Sequence, residues 1–372
     1  MEAVAVREVW LEHRADAALL EVKRPQRACR IAINSSVLSG AWMNHHLQEQ
    51  IGLSSNDAAV MRSLKEKLNG ILGYFDTSRR VVLYDYPLHL NVGDLLIQKG
   101  TEQFLAEHNI HLWKRYSVYD MPSAIRGMDK DVVILCHGGG NLGDLYPLFQ
   151  NGRDRVLELY PRNPILVLPQ SVHFDSQARL QQSMQKFRSH ANCHIFARDE
   201  LSLDILQRAG MCRSSAMPDM AHCLWRRLVA DKSADFEAQP LRLARHDKES
   251  KASDVLQGKG SGEPACDWSN IVALQTSRYA RLTIGVIRKQ SELGLTMQKY
   301  WQWRPMQDRA IQDAVRCFSR YQTIYTNRLH ALLLGLLLER KVCAFDNSYG
   351  KLSSYSDTWL SKMDGLTWEP DV

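Results

Sequence analysis

The chain has 372 residues, with 47 Lys and Arg against 41 Asp and Glu for a net charge of +6, 45% hydrophobic and 24% charged residues. That composition excludes a disordered, collagenous or disulfide-stapled chain, and the length predicts two domains of roughly 150–200 residues each. The positive excess is too slight to point to nucleic acid.

Residues 1–55 show no clear period and read as an N-terminal extension. Glu2, Glu8, Glu12 and Asp16 stand where an export signal needs a positive start and an unbroken apolar stretch. A cytoplasmic protein is expected. The eight scattered cysteines form no C-x-x-C pair, so reduced thiols are expected. Ser54, Ser55, Asn56 and Asp57 make a natural helix start, and Val60, Leu64, Leu68, Ile71, Leu72 and Phe75 follow at helical spacing.

A strand at Val81–Tyr84 and a helix from Asp94 to Glu107 come next, then strands at Val132–Cys136 and Ile165–Leu168. A helix from Ser176 to His190, a strand at His194–Ala197, a helix from Glu200 to Ala209 and a strand near Ser215–Met217 complete the first half. Beyond a charged, aperiodic stretch at 226–239, the second half offers strands at Leu241–Ala244, Thr323–Tyr325 and Val342–Phe345. Between them lie a Gly/Lys/Ser loop from Gly258 to Gly262, helical sequence up to about Tyr321, and a buried helix from Arg328 to Leu338. Its apolar run, Ala331 to Leu338, is far short of the roughly 20 residues that cross a bilayer. Short apolar strands alternating with amphipathic helices predict an α/β fold with parallel sheets. The expected architecture is two Rossmann-like domains facing across a cleft, at 56–225 and 240–350, joined by the linker 226–239. Residues 351–372 form a C-terminal segment open to a return onto the first domain.

In such sheets the ligand sits outside the carboxyl ends of the strands, which singles out the residues just beyond each of them. Asn91, Gly93 and Asp94 follow the first strand; Asp94 either caps the helix or takes a proton from a substrate hydroxyl. His137, Gly138, Gly139, Gly140, Asn141 and Gly143 contain a literal G-x-G-x-x-G. The next strand ends in Pro169, Gln170 and Ser171 rather than in the acid a dinucleotide ribose requires. A glycine-rich turn that admits a ligand to the backbone is the remaining reading. Arg198, Arg245 and Arg328 at strand ends or a helix start predict a multiply anionic ligand, because the guanidinium fork matches carboxylate and phosphate. His330 beside Arg328 is either packed at the edge of the core or a proton-transfer group. Asn347, Tyr349 and Lys351 follow the last strand, within reach of a phosphate or sugar. No Asp-x-Asp pair stands at a strand end, so no metal is expected.

Segments NVGDLLI (91–97), HGGGNLGD (137–144), LPQS (168–171), ARDELS (197–202), PD (218–219), LARHDKE (243–249), TNRLHALLLG (326–335) and DNSYGKL (346–352) appear in this order. Together they resemble the polysaccharide pyruvyl transferases of bacterial exopolysaccharide synthesis, over roughly residues 80–360. The resemblance implies two Rossmann-like domains of GT-B type and phosphoenolpyruvate as co-substrate, with no further cofactor and no metal. The implied product is a cyclic ketal on two hydroxyls of one sugar, with a lipid-linked oligosaccharide as acceptor and peripheral contact with the cytoplasmic membrane face left open. It places Arg198, Arg328 and His330 in the donor site. His246 departs from the pattern. Two other readings stand beside it: a GT-B glycosyltransferase gripping a nucleotide ribose through Glu249 or Asp346, and a noncatalytic phosphosugar-binding protein.

Overall fold

The computed structural model describes residues 53–119, 128–230, 235–244, 266–292, 300–346 and 350–368. They fall within one compact unit, Gln50–Val372. The first described helix, α1 (Ser55–Lys67), starts with a capping box: the Ser54 hydroxyl accepts from the Asp57 N–H while the Asp57 carboxylate accepts from the Ser54 N–H. Asp57 is buried and also accepts from the N–H groups of Asp364 and Gly365 at 2.6 and 3.1 Å, which ties that late segment to the start of α1.

The first sheet uses β1 (Val81–Tyr84), β2 (Leu112–Tyr116), β3 (Val133–Cys136), β4 (Gly139–Gly143), β5 (Ile165–His173), β6 (Cys193–Ala197) and β7 (Ser214–Ala216). Their order is β2-β1-β3-β5-β6-β7, with β4 pairing off this path onto β5, and every pair is parallel. The helices α2 (Val92–Glu107), α3 (Pro147–Leu159), α4 (Gln177–Ser189) and α5 (Glu200–Arg208) provide the crossovers. β1, β3 and the first half of β5 are continuously buried, as expected of strands covered on both faces. From β1 the chain runs outward to β2 and then returns to the other side of β1 as β3. That reversal opens a crevice outside the carboxyl ends of β1 and β3, the usual ligand position in this class.

The second sheet orders β8 (Leu241–Leu243), β9 (Thr323–Thr326), β10 (Lys341–Ala344) and β11 (Leu366–Trp368) as β11-β10-β9-β8, again all parallel. Helices α6 (Trp268–Ile271), α7 (Leu274–Glu292) and α8 (Tyr300–Ser319) precede β9, α9 (Leu329–Leu337) follows it, and α10 (Lys351–Trp359) follows β10. α9 is apolar on every side and almost wholly buried, because one hydrophobic cluster surrounds it with residues from α2, α8, β9 and β10. That shared cluster brings the starts of α2 and α9 together. No described helix is long and apolar enough to cross a membrane.

Three local readings are corrected. The glycine-rich segment after β3 is not a turn: residues 139–143 form β4. β5 does not stop at Leu168 but runs to His173, with a register shift between Val167 and Gln170 that absorbs Pro169. The cap of α2 is Asn91, whose side chain accepts from the Gly93 N–H, and Asp94 sits inside the first turn. The Gly258–Gly262 loop lies outside the described residues.

Candidate active site

A cavity of about 380 Å³ opens at the crevice, walled by Asn91 and Asp94 from the start of α2, Gly140 and Asn141 from β4, and Arg198 beyond β6. Arg328 and His330 from the start of α9, Lys351 from α10, and His89, Tyr146, Phe149 and Trp268 complete it. Strand ends of the first sheet thus face helix starts that follow strands of the second. No side chain caps α9, so its first-turn N–H groups and the positive end of its dipole add to the cationic wall.

A buried carboxylate stands behind the cavity wall and joins two of its lining residues. Asp219, 1% exposed, receives His330 Nε2 at 3.2 Å and Arg198 Nη1 at 3.1 Å on one oxygen and the Ala221 N–H at 2.9 Å on the other. Burial alone would raise its pKa; the charges of His330 and Arg198 with the Ala221 N–H outweigh it and hold the carboxyl well below the usual range. Asp219 therefore stays ionised and fixes the His330 ring by Nε2, leaving Nδ1 as the other proton-carrying position. Its own N–H donates to the buried Tyr355 hydroxyl at 3.0 Å, so α10 of the second sheet braces the loop that carries it.

Arg198 is held on one further side. Its Nε donates to Ser171 Oγ at 2.8 Å, and Ser171 Oγ donates to Asp199 at 2.8 Å. The remaining corner, Nη2, faces β4, where a Cβ on Gly140 would come within 3.2 Å. Glycine at 140 leaves that corner open to the cavity. Arg328 donates to Asp267 at 2.6 Å, and Thr326 Oγ1 accepts from the Arg328 N–H at 3.0 Å, setting the turn that leads into α9.

The start of α2 packs against His330 so closely that a Cβ on Gly93 would stand 2.6 Å from Nδ1 and 2.9 Å from Cγ. Gly93→Ala is expected to displace the ring and lower turnover roughly a hundredfold, the scale of a misplacement of about 1 Å, with the circular dichroism spectrum retained. Steady-state kinetics giving near-native turnover would show that the ring is not held there. Asp94 beside it accepts from Asn91 Nδ2 at 2.9 Å, with His89 Nε2 at 3.6 Å.

Hydrogen bonds cross-brace the β4 wall. Asn141 receives the Gln170 amide on its side-chain oxygen at 3.2 Å, donates its N–H to Gln170 Oε1 at 3.3 Å and its Nδ2 to Asp85 at 3.4 Å. The buried Arg153 donates to the Asn141 carbonyl at 3.0 Å, to its side-chain oxygen, and to Asp85 at 3.3 Å. Burial pushes the Asp85 carboxyl up to about 7 against the pull of Arg153. Asp85 also has φ of 66°, a strained value for a residue with a Cβ.

The profile of the polysaccharide pyruvyl transferase family matches residues 91–349. This chain belongs to that family. It is 36% identical over 303 residues to EpsO of Bacillus subtilis (strain 168), which is named as a pyruvyl transferase, covering 81% of this chain and 91% of the relative. Pyruvyl transferase 1 of Schizosaccharomyces pombe (strain 972 / ATCC 24843) is 27% identical over 320 residues, 79% of this chain and 73% of that one. A crystal structure of an uncharacterised Klebsiella pneumoniae protein aligns with a TM-score of 0.54 at 18% identity, over 83% of this chain and 99% of the other, a likeness of fold. Family membership makes the protein a pyruvyl-group transferase with a polysaccharide as its acceptor class.

In this pyruvyl transferase the cavity brings together Asn91, Asp94, Gly140, Asn141, Arg198, Arg328, His330 and Lys351 from the sequence-derived set. Gly93, Gln170 and Ser171 stand one layer behind, against His330, Asn141 and Arg198 respectively. Gly139, at φ 129°, lies near Asp94. Arg245, Asn347 and Tyr349 lie outside the described residues. The sequence does not mark His89, Tyr146, Phe149, Asp267 or Trp268 by any local signal, and for Asp219 it offers only the Pro218-Asp219 pair.

Proposed function

We propose that the enzyme transfers a pyruvyl group from phosphoenolpyruvate to two hydroxyls of one sugar, forming a cyclic ketal and releasing phosphate. The acceptor is a lipid-linked exopolysaccharide repeat unit at the cytoplasmic membrane face. The two sheets, with 226–239 between them, then act as the halves of a GT-B-like arrangement. The observation that carries this reading is the convergence of Arg198, Arg328, Lys351 and the Asp219-held His330 on one cavity. A phosphate and a carboxylate on one small donor call for several cations together, and its methylene carbon calls for an acid.

In this mechanism His330 gives its proton to C3 of the donor, which becomes the methyl group, and positive charge develops at C2. The first sugar hydroxyl bonds to C2 as Asp94 takes its proton. The C2–O bond to phosphate then breaks, the electron pair leaving with the phosphate, and the neighbouring hydroxyl closes the ring on C2. Of the two hydroxyl protons, one restores His330 and the other departs with hydrogenphosphate. Arg198, Arg328 and the first turn of α9 stabilise the leaving phosphate.

Incubation of the protein with phosphoenolpyruvate and a lipid-linked sugar tests the whole scheme: one phosphate is released per ketal formed, and only when the acceptor is present. Nucleotide release from a sugar nucleotide in its place would overturn the scheme. Arg328→Ala and Arg198→Lys should each weaken donor binding by about 1.5–3 kcal/mol, the size of a charge-assisted hydrogen bond, as read by calorimetry. The lysine at 198 keeps a cation beside Asp219 while removing the Nη2 corner. Unchanged affinity in both variants would remove the arginines from the donor site. Turnover should also persist in EDTA, since side-chain cations meet the donor charge; loss on chelation with recovery on adding magnesium would defeat the arginine-based mechanism.

A further inference from the structure

Outside the cavity, exposed apolar side chains gather on one helix. α7 buries Thr276, Ala280 and Ile287 toward the core of the second sheet, yet on its solvent side Tyr279, Leu282 and Val286 are 56%, 69% and 50% exposed. Their spacing of three and then four residues makes them one continuous stripe. Beside that stripe stand the exposed cations Arg278, Arg281 and Lys289, while Arg288 turns onto Tyr119, whose hydroxyl accepts from its Nη2 at 2.6 Å, and residues 273–290 contain no Asp or Glu. Beyond the connection to α8, Trp301 is 71% exposed.

A solvated helix face normally mixes both signs of charge and carries few large apolar groups. Here the stripe and the cationic row run side by side along residues 273–290, a stretch with no Asp or Glu of its own. A second copy of this chain meeting the same face antiparallel about a two-fold axis would set the cationic row against its own counterpart. A surface that is apolar just below an anionic layer matches both rows at once. We infer that α7 is a membrane-docking helix, with Tyr279, Leu282 and Val286 entering the boundary between headgroups and acyl chains and Arg278 and Arg281 meeting anionic lipid headgroups. The helix starts at Leu274, six residues after Trp268 of the cavity wall, so docking would hold the site close to a lipid-linked acceptor.

The test is cosedimentation of the full chain with phosphatidylcholine vesicles made with and without phosphatidylglycerol. Binding to the anionic vesicles, none to phosphatidylcholine alone, and weakening by added salt are expected. The double variants Leu282→Glu/Val286→Glu and Arg278→Glu/Arg281→Glu should each bind at least about tenfold more weakly, with unchanged circular dichroism. A wild-type chain that stays in the supernatant, or variants that bind as the wild type does, would overturn the assignment. Light scattering that finds a dimer split by Leu282→Glu/Val286→Glu, without vesicle binding, would assign the face to a second copy instead. Vesicle binding is read without donor or acceptor, so its failure would leave the transfer chemistry untouched.

Discussion

Replacing His330 with glutamine should lower the rate of transfer by about 10² to 10⁴, the usual loss when a general acid is removed, while donor affinity stays within about tenfold. Glutamine spans a similar volume and can still donate to Asp219, so the buried carboxylate keeps a partner. It has no proton to give to a carbon at neutral pH. Arg198, Arg328 and Lys351 line the cavity independently of the imidazole, so the anion contacts persist. Steady-state kinetics with calorimetry separates the two effects. A parallel loss of affinity and rate would make His330 a binding group rather than the acid.

Asp219→Ala is expected to be the most damaging single change to stability, by about 3–5 kcal/mol, the cost of removing one partner from a buried ion pair. The arginine it abandons, Arg198, is itself only 4% exposed, and His330 loses the acceptor that orients it. Asp219→Asn keeps the shape and removes the charge, so it should fold better than the alanine variant and still transfer poorly. The sign of the pH dependence follows from the lowered pKa of Asp219. Its stabilisation is fully present above the unfolded carboxylate value of about 3.9 and is lost only as pH falls through the lower folded value. The wild type should therefore lose this contribution in acid, whereas Asp219→Asn lacks it at neutral pH and has less to lose. Urea unfolding at neutral and acid pH tests this; equal stability of wild type and Asp219→Ala at neutral pH would refute it.

Some of this protein was legible in its sequence because the causes are local. Strands such as Val81–Tyr84 and His194–Ala197 announce themselves by short apolar runs, and α9 by a run too long for a strand and too short for a membrane. Once alternation predicts parallel sheets, ligand-facing residues must follow the strands, and that rule alone points to Asn91, Asp94, Arg198, Arg328 and His330. β4 escaped because Gly139–Gly143 has no apolar period; only pairing with β5 makes it a strand. Tertiary structure alone decided the partners of the charges. Asp219 meets Arg198 across 21 residues and His330 across 111, and no sequence period operates over such separations. Which arginine corner stays open, which imidazole nitrogen is held, and why Gly93 must lack a side chain all depend on α2 and α9 being drawn together by one hydrophobic core. Periodicity reports which face of an element is buried; what it is buried against is set by packing between distant segments.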